Sequence, residues 1–446
     1  MSRNLEISWN GALTGAAGSE PEKGIQLFYE RREDLVLTVT DRTRPVSGHT
    51  YTCGAAALGP NGRAAFQSDP VPDDMARLAA LVADDRPRVP AAARNRTGAD
   101  AAPSMLNPDE AARIVAELAD RAARIQRGAA VSARWVGFEQ RVRVARSGGP
   151  VVRDVRSAAR VRVEARMQHG DTMAEAVAEA ALTPDRPGSR EKLIGLAHQV
   201  TERLERRLDA AEPPAGEACV VMAPGAGGVL IHELVGHALE ADVVLAGDSW
   251  LSRFKERWIP EDLTVIDDPR RGRAAWRFDD EGEPARATPL LRGGRVAGWL
   301  HDRATAARSG QRTTGHGRRA SFREPILPRM GATFVAPGSL SPEEVIEGAR
   351  EGVYVRRMEA ARTDPRAGRA VFRVSDADLI LGGRVGRPLE PFLLHVDGQA
   401  ALRGLTRVAD DLRFDTCIGS CHRDGQPLAI SVGAPTFCIG VAEVAS

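Results

Sequence analysis

One short apolar segment, residues 227–240, constrains this chain more than any other, because it holds His232, Glu233 and His237 among glycines and aliphatic residues. On an ideal α-helix, positions five apart lie about 140° apart, so the two imidazoles could not easily reach one ion. A π-type turn holds more residues per turn and would bring both rings back to one side. Gly236 lies inside the interval and could ease that distortion. The spacing therefore predicts a helix with a π-bulge or kink between His232 and His237.

The residue types in this segment favour zinc chemistry over a pair of hydrogen-bonded core histidines. Two neutral imidazoles suit zinc, and a third protein ligand would leave one position open for water. Glu233 is placed to act as the general base that takes a proton from that water. Glu240 could orient His237, or could itself be the third ligand. The pattern predicts a hydrolytic site that uses zinc-activated water.

The third ligand has several candidates near residue 420. Cys417, Cys421 and His422 all have suitable chemistry, and a thiolate would complete a His/His/Cys site. Spacing alone cannot choose among these three residues. The chain has five cysteines, an odd number that argues against a disulfide framework. We therefore expect a reducing, cytoplasmic environment.

Length and charge set wider limits on the chain. Its 446 residues are enough for two or three domains. Lys plus Arg total 61 and Asp plus Glu total 60, a balance that gives no general reason to expect nucleic-acid partners. The first residues have no apolar signal region, and no window approaches the ~20 apolar residues of a membrane helix. We predict neither nucleic-acid nor membrane binding.

Pro213 and Pro214 mark the predicted domain boundary. Residues 1–212 combine strands with two helices, one capped by Asn107 and Pro108 and one near 189–209. They also contain an Ala-, Pro-, Asp- and Arg-rich stretch near 70–106 that is typical of a flexible insertion. Residues 213–446 read as short strands with frequent Gly and Pro, interrupted by the histidine helix.

Several segments of the chain match the motifs of one known family. They are 224–242 around the histidine pair, Asp279-Asp280-Glu281-Gly282-Glu283-Pro284, Gly315-His316-Gly317-Arg318-Arg319, Pro328-Arg329-Met330 with Pro337-Gly338, and Cys421-His422-Arg423-Asp424-Gly425-Gln426 with Gly433-Ala434-Pro435-Thr436. In these segments the chain resembles the TldD/PmbA family of zinc metallopeptidases, and specifically its catalytic TldD-type members.

The resemblance implies a ligand set and a fold. It implies one zinc ion per chain, held by His232, His237 and Cys421, and it leaves Cys417 without a role. The fold implied is α+β, with an N-terminal α/β domain and a C-terminal β-rich, barrel-like domain that carries the metal-binding helix. Because the chain keeps every residue of the His-Glu-x-x-x-His pattern, it resembles the catalytic branch of the family.

Partners and substrates are also implied by the resemblance. The expected assembly is a heterodimer with a non-catalytic PmbA/TldE-like homologue, although a homodimer is the competing arrangement. The expected substrates are unfolded peptides or small peptide intermediates, including precursors in natural-product biosynthesis.

Three further residues are candidates for substrate binding. His316, Arg319 and Arg329 could place positive charge near a substrate carboxylate, or they could belong to structural turns with paired arginines. The acidic run 279–282 lacks the ligand spacing of a calcium loop, so it predicts an Arg-paired or solvated turn.

The leading hypothesis is therefore a zinc-dependent metallopeptidase. Two other hypotheses compete with it. One is a non-proteolytic scaffold or maturation subunit with structural zinc, which a closed His/His/Cys/Glu240 site would favour. The other is a hydrolase of a peptide-like natural-product intermediate.

Overall fold

In a computed structural model of the protein, the structure describes residues 25–40, 46–59, 64–68, 107–147, 149–170, 172–182, 190–254, 257–415 and 419–445. Two sequence-based expectations lie outside these ranges: the flexible insertion near 70–106 and any role of Cys417.

The first part of the chain forms a six-stranded sheet. Its strands are β1 (Gln26–Thr40), β2 (Val46–Leu58), β3 (Ala64–Ser68), β4 (Ala130–Arg146), β5 (Val152–His169) and β6 (Thr172–Leu182). They pair in the order β3-β2-β1-β4-β5-β6, and every neighbouring pair is antiparallel. Long alternating segments such as β5, in which Val161 and Val163 are buried and their neighbours are not, produce this arrangement.

Two helices cover one face of the sheet, as the periodicity predicted. They are α1 (Pro108–Ile125) and α2 (Arg190–Leu208). The Asn107 side chain accepts a hydrogen bond from the Glu110 amide at 3.1 Å, which confirms the predicted cap. Leu118 of α1 and Val200 of α2 pack with Val161 of the sheet in one apolar core.

The remainder of the chain is strand-rich. Its strands are β7 (Gly216–Met222), β8 (Val265–Asp267), β9 (Thr288–Arg292), β10 (Arg295–Val296), β11 (Gly317–Arg318), β12 (Leu327–Pro328), β13 (Ala332–Val335), β14 (Gly352–Asp364), β15 (Arg369–Leu381), β16 (Arg384–Pro388), β17 (Phe392–Asp397), β18 (Arg407–Val408), β19 (Arg413–Phe414), β20 (Gly419–Arg423), β21 (Gln426–Ala434) and β22 (Phe437–Ala445). Its helices are α3 (Gly227–Ile231), α4 (Ala241–Leu245), α5 (Arg303–Ser309), α6 (Pro342–Ala349) and α7 (Gly398–Gly404).

Five of these strands close into a barrel. The order β14-β7-β22-β17-β15 runs around the ring, and β15 pairs again with β14 to close it. The β14–β7 contact is parallel and the other contacts are antiparallel. The α+β class and the barrel-like C-terminal half are therefore confirmed. The division into domains at residues 212 and 213 stays a prediction.

A second sheet lies beside the barrel and supports a hairpin. Its order is β10-β9-β8-β13-β21-β19, and β20 pairs antiparallel with β21. The β20–β21 turn is Asp424-Gly425, with φ of 48° and 76°. Two successive positive φ values define the tight two-residue hairpin turn that Asp-Gly favours. The helix that begins at Gly227 packs between this sheet and the barrel, where Leu230, Leu234 and Val235 join the largest apolar core.

A buried polar network joins the two halves. The Arg156 guanidinium of β5 donates to Asp280 Oδ1 at 2.7 Å, and Arg318 Nε donates to Asp280 Oδ2 at 3.1 Å. Because both arginines and Asp280 are buried, removal of one partner would leave an uncompensated charge. The acidic run 279–282 is thus an Arg-paired turn, the first of the two forms predicted.

Within the described ranges, no helix combines the length and the apolar composition needed to cross a bilayer.

Candidate metal centre

The predicted distortion between the two histidines is present. After α3, residues His232–Gly236 form a π-helical turn, and a short 3₁₀ turn follows at His237–Leu239. The His237 amide donates to the His232 carbonyl, a hydrogen bond that spans five residues. The two imidazole rings therefore come together, with centroids 4.9 Å apart and planes at 78°. The π-turn is therefore the local structure that places two histidines five residues apart on the same side of the helix.

Glycines in this helix provide space. Gly236 has ordinary helical dihedrals, φ −58° and ψ −58°, so the distortion does not require a glycine conformation. A Cβ at Gly236 would lie 1.9 Å from the sulfur of Met330. A Cβ at Gly228 would lie 2.7 Å from the backbone nitrogen of Gly433 on β21. These glycines let the helix approach its neighbours closely, which is a different role from the easing of the turn expected for Gly236.

Gly228→Ala should therefore destabilise the protein, because the new methyl group meets backbone that cannot turn away. We expect a loss of about 1–3 kcal/mol in the free energy of unfolding, measured by chemical denaturation. Gly195→Ala in the middle of α2 is the matched control, since nothing lies within 4 Å of its added Cβ. The control should be neutral or stabilising by about 0.4–1 kcal/mol. Wild-type stability in the Gly228 variant would contradict this packing argument.

Cys421 completes a cluster of three possible ligands. It is buried on β20, and its Sγ lies 3.4 Å from His237 Nε2. One ligand atom each from His232, His237 and Cys421 lies within 4.8 Å of the others. Within the described part of the chain, no other group of three or more His, Cys, Asp or Glu residues meets this condition. The short β20–β21 hairpin thus presents the thiol to the π-turn.

The donor set fits a zinc ion. His232 is buried, and its Nδ1 has no hydrogen-bond partner in the structure. Burial, together with the charges of His237 and Arg329, holds the pKa of His232 well below its usual range, so the imidazole is neutral as a ligand must be. Two imidazoles and a thiolate form a ligand combination that zinc accepts.

Glu240 lies behind His237 and outside the cluster. Its Oε2 is 3.0 Å from His237 Nδ1, which leaves His237 Nε2 directed toward Cys421. Burial lowers the pKa of His237, but the Glu240 charge and the Cys421 hydrogen bond outweigh it and raise that pKa well above normal, so this ring must release a proton when it binds a metal. A carboxylate on the far nitrogen is how proteins orient a metal-binding imidazole. This contact supports the orienting role for Glu240 over a fourth-ligand role.

Arg423 was missed in the sequence and holds this carboxylate in place. Its Nη1 donates to Glu240 Oε2 at 2.8 Å, and its Nη2 pairs with Asp242. Arg423 follows Cys421 by two residues, so one β-hairpin supplies both the thiol and the cation that fixes Glu240. The sequence shows Arg423 within the 421–426 segment, but its spacing gives no sign that its side chain contacts Glu240.

Glu233 faces a cavity of about 880 Å³ together with His232. Burial raises the pKa of Glu233, and the charge of His237 with a Thr363 hydrogen bond partly opposes the rise. A divalent ion beside it would also favour the charged form. The carboxylate is therefore next to the cluster and open to any molecule that enters the cavity.

The three candidate substrate-binding residues lie elsewhere. His316 is fully buried, with Nε2 3.0 Å from Asp267 Oδ1. Arg329 is also fully buried and donates to the carbonyl oxygens of Cys421 at 2.8 Å and Gln426 at 3.2 Å. Arg329 therefore fixes the backbone of the cysteine strand.

Arg319 lies over the Phe28 ring at 4.7 Å and borders a smaller cavity. None of these three residues lines the cavity that Glu233 faces. Their contacts support structural roles, and their role in substrate binding stays a prediction.

Fold and cluster together define a barrel protein with a candidate metal centre beside a large cavity. A family model described as the PmbA/TldA metallopeptidase C-terminal domain matches residues 215–446, which is just over half of the chain. The chain therefore belongs to the PmbA/TldD metallopeptidase family.

Named relatives agree with this assignment. A metalloprotease of Methanothermobacter thermautotrophicus is 35% identical over 248 residues, which cover 55% of this chain and 54% of that protein. The metalloprotease TldD homologue of Buchnera aphidicola is 32% identical over 233 residues, covering 52% and 48%. The chain spans about half the length of the curated relatives it matches. The crystal structure of TldE from Thermococcus kodakarensis superposes over 100% of both chains with a TM-score of 0.77, and its 16% identity shows a shared fold alone.

Proposed function

We propose that this chain is a zinc-dependent metallopeptidase in which Glu233 is the general base. The observation that carries the proposal is the meeting of His232, His237 and Cys421 ligand atoms within 4.8 Å, with His232 lining the same cavity as Glu233. A cluster closed off on all sides would suit structural zinc, whereas His232 gives this one an opening to space large enough for a substrate.

Each residue has a role in the proposed reaction. His232, His237 and Cys421 would hold zinc, which when bound supplies a Lewis acid that makes water more acidic and polarises a carbonyl. Glu233 accepts a proton from the attacking water and returns it to the leaving amine. Glu240, itself held by Arg423, keeps the His237 ring oriented. Arg329 holds the Cys421 carbonyl and so fixes the cysteine strand.

The edge of β14 supports an extended peptide as substrate. Parallel pairing with β7 covers only Val353–Val355, whereas pairing with β15 continues to Asp364. Past Val355, the described strands leave the β7-side edge of β14 open, and Met358, Glu359 and Ala360 there line the cavity. Such an edge offers backbone hydrogen bonds to an added strand. Unfolded peptides and small peptide intermediates fit this surface.

We also propose that the chain works in a heterodimer with a TldE-like protein. The full-length likeness to a solved TldE is what supports a partner of the same fold. Light scattering on the chain alone, then mixed with a TldE-like chain from the same source, tests this. A stable homodimer that does not exchange with the added chain would contradict the heterodimer.

Metal removal tests the proposed activity. The purified chain, with its partner, should contain about one zinc per copy and cleave unfolded peptides. A chelator should abolish cleavage, and stoichiometric zinc should restore it. Mass spectrometry of the metal and of the peptide products gives both readouts. Cleavage that persists after complete zinc removal would contradict the proposal.

A further inference from the structure

The cavity beside the metal cluster has one wall rich in guanidinium groups. Its members come from β5, α2 and β14, and we call them the arginine wall: Arg160, Arg162, Arg203, Arg206, Arg356 and Arg357. Two strands and a helix that are distant in sequence thus deliver six cations to a single cavity that also contains His232 and Glu233. The metal-site interpretation makes no use of them.

Ion pairs neutralise four of the six wall arginines, Arg162, Arg206, Arg356 and Arg357. Arg206 and Arg356 share the buried carboxylate of Asp378. Arg357 pairs with Glu179, which lies opposite Arg162 in the β5–β6 register. A seventh arginine, Arg413, also lines the cavity. The acids that line the cavity or pair with wall arginines are Glu164, Glu179, Glu233, Glu359, Asp376, Asp378, Asp411 and Asp415. Burial raises the pKa of Asp415 to about 8.

Two wall residues, Arg160 and Arg203, form no ion pair among the described residues. Arg160 lies two residues before Arg162 on the same face of β5, half-buried, and among the described residues it has no acidic partner. Arg203 donates to the Val177 carbonyl at 2.5 Å. Burial lowers the pKa of Arg203, and the neighbouring Arg357 and Arg206 add to that effect against the opposing acids. These two guanidinium groups therefore lack a paired carboxylate.

We infer that the arginine wall selects peptides that carry a carboxylate, either at the C-terminus or on an Asp or Glu side chain. An anion that enters the cavity supplies the counter-charge that the partly buried guanidinium groups of Arg160 and Arg203 lack. Arginine binds carboxylates through charge-assisted, often bidentate hydrogen bonds. The inference rests on the proposed function in taking the ligand to be a peptide. With this inference, the cavity selects a peptide by its charge, whereas the β14 edge contacts only the peptide backbone.

Peptide binding tests this without requiring cleavage. The protein would be the zinc-loaded Glu233→Gln variant with its partner, and the probes four fluorescent peptides of equal length. They are a neutral peptide with a free C-terminus, the same peptide amidated, an amidated acidic peptide and an amidated basic peptide. Fluorescence anisotropy should show at least one carboxylate-bearing peptide binding about 10-fold or more tighter than the neutral amidated one.

Arg160→Glu, made in the same background, should remove that preference. Arg166→Glu is the matched control: it makes the same charge change on the same face of β5, and Arg166 does not line the cavity. Arg160→Gln serves if the Glu variant does not fold. Tight binding of the free C-terminus alone or of the acidic side chains alone identifies the carboxylate that the wall binds.

The inference and the proposed function fail in different ways. Equal binding of all four peptides, or a preference that survives in both Arg160 variants, overturns the inference. Wild-type cleavage of neutral amidated and acidic peptides at equal rates also overturns it but keeps the peptidase. Arg160-dependent binding of acidic peptides by a chain that cleaves none keeps the inference and overturns the peptidase.

Discussion

Glu233→Gln is expected to lower peptide hydrolysis by about 10²–10⁴-fold while the zinc content stays at about one per chain. Glutamine has nearly the same shape but cannot accept the proton of the attacking water. Because Glu233 is not one of the three clustered donors, its replacement leaves the ligand set intact. Product analysis gives the rate, and elemental mass spectrometry gives the zinc content of the same sample.

Glu261→Gln is the control for this experiment, since Glu261 is exposed and lies outside the cavity. Its rate should equal that of the wild type. If the Glu233 variant hydrolyses peptides at the wild-type rate with zinc bound, Glu233 is not the base. A scaffold role with structural zinc would then be favoured over the metallopeptidase.

Cys421→Ser should weaken zinc binding by about 100-fold or more. Loss of a residue that merely orients a ligand costs 10–100-fold, and loss of a ligand itself should cost at least as much. A serine hydroxyl is not ionised near neutral pH and cannot replace a thiolate. We expect dialysis against a competing chelator to strip the variant of zinc under conditions that leave the wild type loaded.

Cys53→Ser provides the comparison, because Cys53 contacts Tyr29 in the first sheet and belongs to no ligand cluster among the described residues. This variant should keep about one zinc per chain. Equal retention of zinc by the Cys421 and Cys53 variants would remove Cys421 from the ligand set. His422 would not replace it readily, since its ring lies against Ser420 Oγ at 3.1 Å, away from the histidine pair.

The local features of the site were predictable from the sequence, because they depend on helix geometry. A spacing of five residues between the two histidines does not suit an α-helix, and the π-turn at His232–Gly236 resolves that mismatch. The Asn107 cap and the apolar periodicity likewise located α1 and α2 correctly. Three short helices, α5, α6 and α7, were missed. The Ser341-Pro342 start of α6, with its capping box to Glu344, was a signal that could have located one of them.

Long-range placement was the part that spacing could not give. Only the family resemblance selected Cys421 among the nearby candidates. His316 and Arg329 were candidates either for substrate binding or for structural turns, and their spacing gave no sign of the contacts with Asp267 and the Cys421 carbonyl that both make in the buried interior. Conversely, the arginine wall was invisible because three distant elements contribute to it. In a chain with 61 basic residues, Arg160 does not stand out.

The pairing of the π-turn with the β20 hairpin also fixes when the metal site can exist. Cys421 follows His237 by 184 residues. At ~5–20 residues per second, a ribosome needs roughly 10–40 s to make that interval. With the proposed ligand set, a nascent chain that displays both histidines would bind zinc weakly until the hairpin has emerged and folded against the helix. Zinc acquisition would then be a late, post-translational step, and zinc retention would report that the two segments have met.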